Sequence, residues 1–272
     1  MDHRKTHHNG DEPLAIDAAA LSAAIAGLAR FHAVSYLATV DSTNSCALQL
    51  IRSADSAGMS IVAESQSAGR GRAGRLWTSP PRTGLLLSTI MPTELSHETL
   101  PALGFWASLA AADAVEVVSG FWPALKWPND LQAGPAKLAG ILLEGETVGT
   151  ASRMVVGVGV NVNRPSDIPA DLTGKAVWLS DLAGRSIDRT KLAAALLQRY
   201  DSTYDRLIAE PRTVIRDWAA RAACEGQRIT VSASDGSLMH EGIAQGIGDD
   251  GALLLQTSGG LVRVTLGDVQ ML

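Results

Sequence analysis

Two hydrophobic periods alternate along the chain, and the switches between them set the predicted elements. "AVSYLATV" (33–40) alternates like a strand, and "MSIVAES" (59–65) is β-branched and strand-like. Between them, "DSTN" (41–44) offers an N-cap to the helical stretch "SCALQLIRSA". "GLLLSTIM" (84–91) is a continuous apolar run, as in a strand buried on both faces. "LPALGFWASLAAADAVEVVSG" (100–120) has helical spacing and closes on a glycine C-cap. "ALKW", "AKLAGILLEGE" and "SRMVVGVGVNV" predict three more strands between 124 and 162. "DRTKLAAALLQRYDSTYDRLIAE" (188–210) predicts a long helix that stops before Pro211.

The pattern changes near Glu225. Short apolar runs ("QRITVSA", "HEGIAQGIG", "ALLLQT", "LVRVTL") are there separated by the turn signals "SDGS", "DDG" and "SGG". They predict an antiparallel β-unit of about 48 residues, too small for a rich core of its own and so expected to dock on the rest. At the other end, "LAIDAAALSAAIAGLA" (14–29) predicts an amphipathic helix. The expected organisation is an N-terminal helical segment (1–32), a main domain (33–222) and a small C-terminal domain (223–272).

Composition narrows the function classes. Apolar residues make up 46% and charged ones 19%, as in a globular protein with a sizeable core. The net charge of −5 gives no protein-wide field for nucleic acid, so an anion site must be local. Basic "MDHRKTHH" followed by an apolar run loosely resembles a signal peptide, but Asp11, Glu12 and Asp17 interrupt it. His7 and His8 read as a solvated pair on a tail, and no other apolar run approaches the ~18 residues that a bilayer requires. Cys46 and Cys224 lack metal or redox spacing and read as reduced thiols of a cytoplasmic protein.

Against that acidic average, "SAGRGRAGRLWTSPPR" (67–82) holds four arginines and no acid. Gly69, Gly71 and Gly74 match G-x-G-x-x-G, yet a dinucleotide site needs a helix to follow, and the two prolines forbid one. What survives is a loop whose glycines let the backbone approach a ligand and whose arginines can fork onto phosphate oxygens. In "LKWPNDL" (125–131), Lys126 lies at a strand end among aromatic residues, as an edge residue or as a cation placed to meet an anion. Asn129 and Asp130 orient a neighbour or simply form the turn. In "KLAGILLE" (137–144), alternation puts Lys137, Ala139, Ile141 and Leu143 on one face and Leu138, Gly140, Leu142 and Glu144 on the other. Gly140 there marks a bulge or a ligand lying on the sheet. "GVGVN" (157–161) leaves similar room along one strand face, with Asn161 on the same side. No hydrolytic triad, P-loop or zinc motif occurs.

These motifs, in this order, resemble the biotin protein ligases. "DSTN", "ESQSAGRGRAGRLWTSP", "LKWPNDL", "KLAGILLE" and "GVGVN" carry the resemblance, which runs from about residue 34 to the end. "GIAQGIGDDGALLLQTSGGLVRVTLGDV" is similar to that family's SH3-like domain. The resemblance implies an α+β protein: a mixed β-sheet flanked by helices (the class II synthetase-like biotin/lipoate ligase fold), then a small SH3-like β-barrel. It implies a ligase that activates biotin with Mg-ATP to biotinyl-5′-AMP and passes biotin to a lysine of a biotin carboxyl carrier domain. Ser42, Thr43, Asn44 and Gln66 would hold biotin's ureido ring, with Gly69, Arg70, Gly71 and Trp77 covering it and Gly140 and Ile141 beneath it. Arg70, Arg72, Arg75, Trp77, Asn129, Asp130, Lys137 and Asn161 would meet the adenylate, with Trp178 as the aromatic against adenine. Lys126, Arg70 and Arg72 are the expected catalytic cations, and no direct protein ligand to a metal is expected. The stretch ahead of residue 33 is shorter than the winged helix of bifunctional members, so no DNA partner is expected, nor a membrane. Lipoate ligases share the fold, but the hydrogen-bonding groups of "DSTN" and Gln66 suit a ureido ring better than an acyl chain. A non-catalytic biotin sensor would be expected to lack Lys126 or to carry a DNA-binding segment. Monomer and weak homodimer both remain open.

Overall fold

The computed structural model describes residues 14–148 and 151–272, so His7 and His8 lie outside the described residues. An N-terminal helix α1 (Ala18–Ile25), capped by the Asp17 carboxylate on the Ala20 N–H, leads into strand β1 (Ala33–Val40). The predicted helix over 14–29 is thus eight residues long, because Gly27 and the following turn end it. Next come α2 (Thr43–Leu50), β2 (Met59–Gln66), β3 (Gly84–Ile90) and the short β4 (Leu95–Ser96). Helix α3 (Leu100–Ser119) ends on Gly120 at φ 76°, the left-handed C-cap that its sequence predicts. The hairpin strands β5 (Ala124–Lys126) and β6 (Asp130–Ala133) precede two long strands, β7 (Ala136–Val148) and β8 (Ala151–Asn161).

These strands form one mixed sheet in the order β1-β2-β3-β8-β7-β6-β5, with β4 paired to the far end of β8. Only β1 and β2 run parallel; the other pairs are antiparallel. Each face has its own cover. Val62, Leu85, Leu87, Val156, Val158 and Val160 point to the main core beneath α3 and α5 (Arg189–Ala209). On the opposite face, Ile61, Ile90 and Val155 pack under Ala47 of α2 and Ile51 at its C-cap. That helix is short, so the second face stays open over β3, β8 and β7.

Helix α3 is long and apolar enough to cross a membrane, contrary to the reading that no apolar run approaches that length; much of it is buried. Its Phe105 and Trp106 are core residues, Trp106 stacking on Tyr200 of α5 at 4.4 Å. After α4 (Leu179–Ala183) and α5, the chain does not stop being helical at Pro211. Proline is at the first position of α6 (Pro211–Ala219), where its missing N–H costs nothing.

The C-terminal unit is a five-stranded antiparallel sheet, β12-β11-β10-β9-β13, as expected for an SH3-like barrel. Its strands are β9 (Arg228–Ser232), β10 (Leu238–Ile247), β11 (Leu253–Thr257), β12 (Gly260–Val264) and β13 (Asp268–Met271). Ile229, Val231, Leu253 and Leu255 belong to the same continuous core as α3 and α6. Trp127, fully buried beside a cis Pro128, donates its indole N–H to Gly251 O at 3.0 Å and joins the two units.

Candidate active site

The open face of the large sheet is paved with glycine. Gly157 and Gly159 of β8 are cross-strand neighbours of Leu142 and Gly140 on β7. A Cβ on Gly159 would lie 2.5 Å from Cε2 of Trp77, one on Gly140 would lie 3.2 Å from Cζ3 of the same ring, and one on Gly157 would collide with the Asn44 amide. The bare backbone therefore serves two side chains first. Trp77 lies flat on the floor, and Asn44 closes one end.

Around Asn44 the N-terminus of α2 forms a dense polar cluster. The Thr43 N–H and hydroxyl both reach Gln66 Oε1, at 2.8 and 3.1 Å. Ser88 Oγ of β3 lies 2.7 Å from Thr43 Oγ1 and 2.5 Å from Asn44 Oδ1, and Asn44 Nδ2 donates to Glu144 at 2.8 Å. Ser42 is buried, and its hydroxyl is not used to cap α2. Donors and acceptors thus sit side by side in a nearly dry corner, which suits a small polar ring with N–H and C=O groups.

The arginine loop folds as a small hairpin over this floor. Gly71 N donates to Arg75 O at 2.7 Å and Trp77 N to Gly69 O at 2.9 Å, around a single 3₁₀ turn (Arg72–Gly74). Ala73 and Gly74 adopt positive φ, 54° and 74°, so no α-helix follows the glycines. Three arginines reach three different parts of the fold, two strands and the β5–β6 turn. Arg70 pairs with Glu144 of β7 at 2.7 Å, Arg72 Nη1 donates to Asn129 at 3.2 Å, and Arg75 pairs with Asp268 of β13 at 2.6 Å. Asn129 is in turn fixed to Ile141, donating to its carbonyl at 2.6 Å. Lys137 pairs with Asp130 at 2.7 Å and lies 5.5 Å from the Trp77 ring centroid, a cation–π distance.

Burial lowers the pKa of Arg72, the nearby Arg75 charge adding to the effect while Asp268 and Asp130 oppose it. Burial also lowers that of Lys126, with Asp130 opposing and Lys137 reinforcing. Lys126 has no direct hydrogen-bond or ion-pair partner among the described residues. Such a poorly solvated cation is stabilised by an arriving anion.

One cavity brings most of the expected residues together. Ser42, Thr43, Asn44 and Gln66 line one end. Trp77, Gly140 and Ile141 lie in the middle, and Arg70, Gly71, Arg72, Arg75, Asn129, Asp130 and Lys137 line the other end. Four expected residues do not line it. Gly69 supports the hairpin, where a Cβ would collide with Trp77 O. Lys126 lies beside Asp130, its cross-strand neighbour in the β5–β6 register. Asn161 donates to Lys137 O at 3.1 Å and so fixes the start of β7. Trp178 is buried at the N-cap of α4, its ring 5.6 Å from the Arg164 guanidinium.

The alternation assigned to β7 needs correction. A bulge falls where Leu131 faces Ala139 but Gln132 faces Lys137, so Leu138 and Ala139 both turn into the main core. Lys137 consequently shares the site face with Gly140. Sequence reasoning also missed Ser88, Glu144 and Asp268. Ser88 gives a signal as a lone hydroxyl in an apolar strand run; Asp268 gives none, because its partner is 193 residues away. Among the described residues no group of three or more His, Cys, Asp or Glu could hold a metal ion.

Comparison with known proteins agrees with this geometry. The Biotin/lipoate A/B protein ligase family model matches residues 36–161, and the Biotin protein ligase C terminal domain model matches 226–272. The biotin–[acetyl-CoA-carboxylase] ligase of Mycobacterium tuberculosis is 35% identical over 239 residues, covering 86% of each chain. The bifunctional ligase/repressor BirA of Bacillus subtilis is 31% identical, over 87% of this chain and 73% of its own. Among solved structures, the biotin protein ligase from Aquifex aeolicus in complex with biotin and ATP superposes with a TM-score of 0.74 at 25% identity, over 89% of this chain and 99% of its own. Fold and site thus define a member of the biotin/lipoate protein ligases. With its matched C-terminal domain, the chain belongs to the biotin protein ligase family.

Proposed function

We infer that the protein is an ATP-dependent ligase that activates biotin and transfers it to a lysine of a biotin carboxyl carrier domain. In the first step a biotin carboxylate oxygen bonds to the α-phosphorus of ATP, pyrophosphate leaves, and biotinyl-5′-AMP forms. In the second, the acceptor amine attacks the acyl carbon, AMP leaves with the bonding electrons, and the amine loses its proton.

Ser42, Thr43, Asn44 and Gln66 hold the ureido ring, because that corner offers paired donors and acceptors. Trp77 and the glycine floor take the apolar part of biotin. The observation that carries the reading is the convergence of Lys137, Arg70, Arg72 and Arg75 on the cavity's other end. Bringing a carboxylate against a phosphate costs repulsion, and preorganised cations at the junction offset it. Lys137, which lines the cavity, takes the role at the junction, and Lys126 lends its charge from beside Asp130. Asn129 and Asp130 are oxygen donors at the same end, which fits a Mg²⁺ ion held chiefly by phosphate and water. Such an ion neutralises phosphate charge when bound. No side-chain nucleophile is needed, and closure of the hairpin keeps water from the mixed anhydride.

Biotin-dependent exchange of pyrophosphate into ATP tests the first step. Wild type should exchange. Lys137→Ala should lose on the order of 10²–10³-fold, the loss typical of one preorganised electrostatic partner. Exchange supported by lipoate and not by biotin would overturn the reading.

A further inference from the structure

Behind the sheet from the active site lies an ion pair for which the reaction has no direct use. Glu64 of β2 and Arg189, the first residue of α5, pair at 2.7 Å with side chains 8% and 1% exposed. A cation at the first turn of a helix opposes the helix dipole, and burying both charges costs solvation. So the pair earns its place by what it ties together.

Five chain segments meet on it, the pair's own two included. Glu64 Oε1 accepts the Ile16 N–H at 2.6 Å and the Tyr36 hydroxyl at 3.3 Å. Arg189 donates to Gly84 O at 3.1 Å and to Leu14 O at 2.7 Å. Glu64 stands two residues before Gln66, where the strand feeds the arginine loop, and Gly84 begins the strand that leaves it. The Glu64 carbonyl also accepts the Arg82 N–H at 3.2 Å. The loop's two roots are therefore held together by one side-chain pair, and that pair is sealed by residues 14–16.

We propose that the Glu64–Arg189 pair is a positioning unit for biotin ligation: it staples the roots of the arginine loop and makes the N-terminal segment part of the loop's anchorage. This rests on the ligase reading above. Loosening the staple leaves the catalytic groups intact but lowers the fraction of molecules with the loop closed. Apparent affinity for biotin falls by that fraction, and the adenylate escapes to water more often. Adenylation at saturating biotin and ATP is unchanged.

The test measures biotin KM, kcat and the ratio of AMP released to acceptor biotinylated. Trypsin cleavage at the loop arginines reports the opening of the loop. Glu64→Gln leaves Arg189 buried and unpaired, so the deciding variant is Glu64→Gln with Arg189→Met, which removes both charges and keeps the volume. Its biotin KM should rise about tenfold, a drop of the closed fraction to about a tenth. AMP released per biotin transferred and loop cleavage should rise with it, while kcat stays within about twofold. Asp201→Asn is the control. Asp201 holds the other end of the same segment through the Ala29 and Arg30 amides, at 3.1 and 2.8 Å, and its loss should lower the melting temperature without moving these ratios. A double variant with wild-type KM, AMP ratio and cleavage rate overturns the proposal, as does one that loses kcat alone. Failure of wild type to biotinylate any carrier domain sinks the ligase reading instead.

Discussion

Two lysines separated by ten residues do different work, and their surroundings say which. Lys137 has a carboxylate partner and an aromatic face, whereas Lys126 is half-buried with no direct partner among the described residues. Burial that lowers a lysine's pKa means that the charged form is disfavoured in the folded state. Its folding penalty is present at neutral pH and is relieved as pH rises through the folded pKa toward the ordinary lysine value. Lys126→Met should therefore raise the melting temperature at pH 7 while slowing adenylation about tenfold or more, checked by scanning calorimetry beside pyrophosphate exchange. The floor gives a second expectation at this scale. In Gly159→Ala the new methyl meets the Trp77 ring at 2.5 Å, so the indole must leave its place. Biotin KM should rise on the order of tenfold or more with far less change in KM for ATP, read by isothermal titration and steady-state kinetics. The glycines of "GVGVN" and the arginines were legible in the sequence because composition alone marks them. That Trp77 lies on those glycines was not, since nothing local ties residue 77 to residue 159. The bulge at Leu138 was hidden because strict alternation is the default for a strand, and only the pairing with β6 reveals the extra residue.

At the scale of elements, the proposed exchange of the arginines from protein partners to a phosphate depends on how each is held. Each arginine of the hairpin is parked on a partner from a different part of the fold, Glu144 of β7, Asn129 of the β5–β6 turn or Asp268 of β13. Arg75 and Asp268 are 54% and 36% exposed, so their pair is worth only about 0.5 kcal/mol, weak enough to exchange for a phosphate. A double-mutant cycle of Arg75→Ala and Asp268→Ala, read by thermal unfolding, should give a coupling of that size that falls with added salt. A coupling above about 2 kcal/mol would mean a fixed strut and not a latch. The strands and long helices were readable from periodicity, including α3 with its Gly120 cap. Helices α4 and α6 and strands β4, β6 and β13 were not. Pro211 stops a helix but also starts one, and four-residue strands carry too little pattern to stand apart from turns.

Taken whole, the two sheets share the main core, and the site lies on the large-sheet face that α2 and its small apolar cluster cover only in part. Gly251 has φ 85°, and a Cβ there would lie 2.5 Å from the Phe105 ring, where the barrel meets α3. Gly251→Ala should cost about 1–3 kcal/mol and unfold both units in one calorimetric transition, with no barrel melting alone. Docking of the barrel was legible from its size; its contribution of Asp268 to the site was not. The proposed activity is the formation of biotinyl-adenylate in this cavity and its delivery to a carrier lysine. Its most direct measurement is a single turnover: enzyme loaded with biotin and Mg-ATP, freed of excess substrate, and mixed with a biotin carboxyl carrier domain or its Lys→Arg variant. The expected result is one biotin per enzyme appearing on the wild-type carrier with matching AMP, and none on the variant. Adenylate that forms but never reaches the carrier, or a carrier that takes lipoate and not biotin, would contradict it.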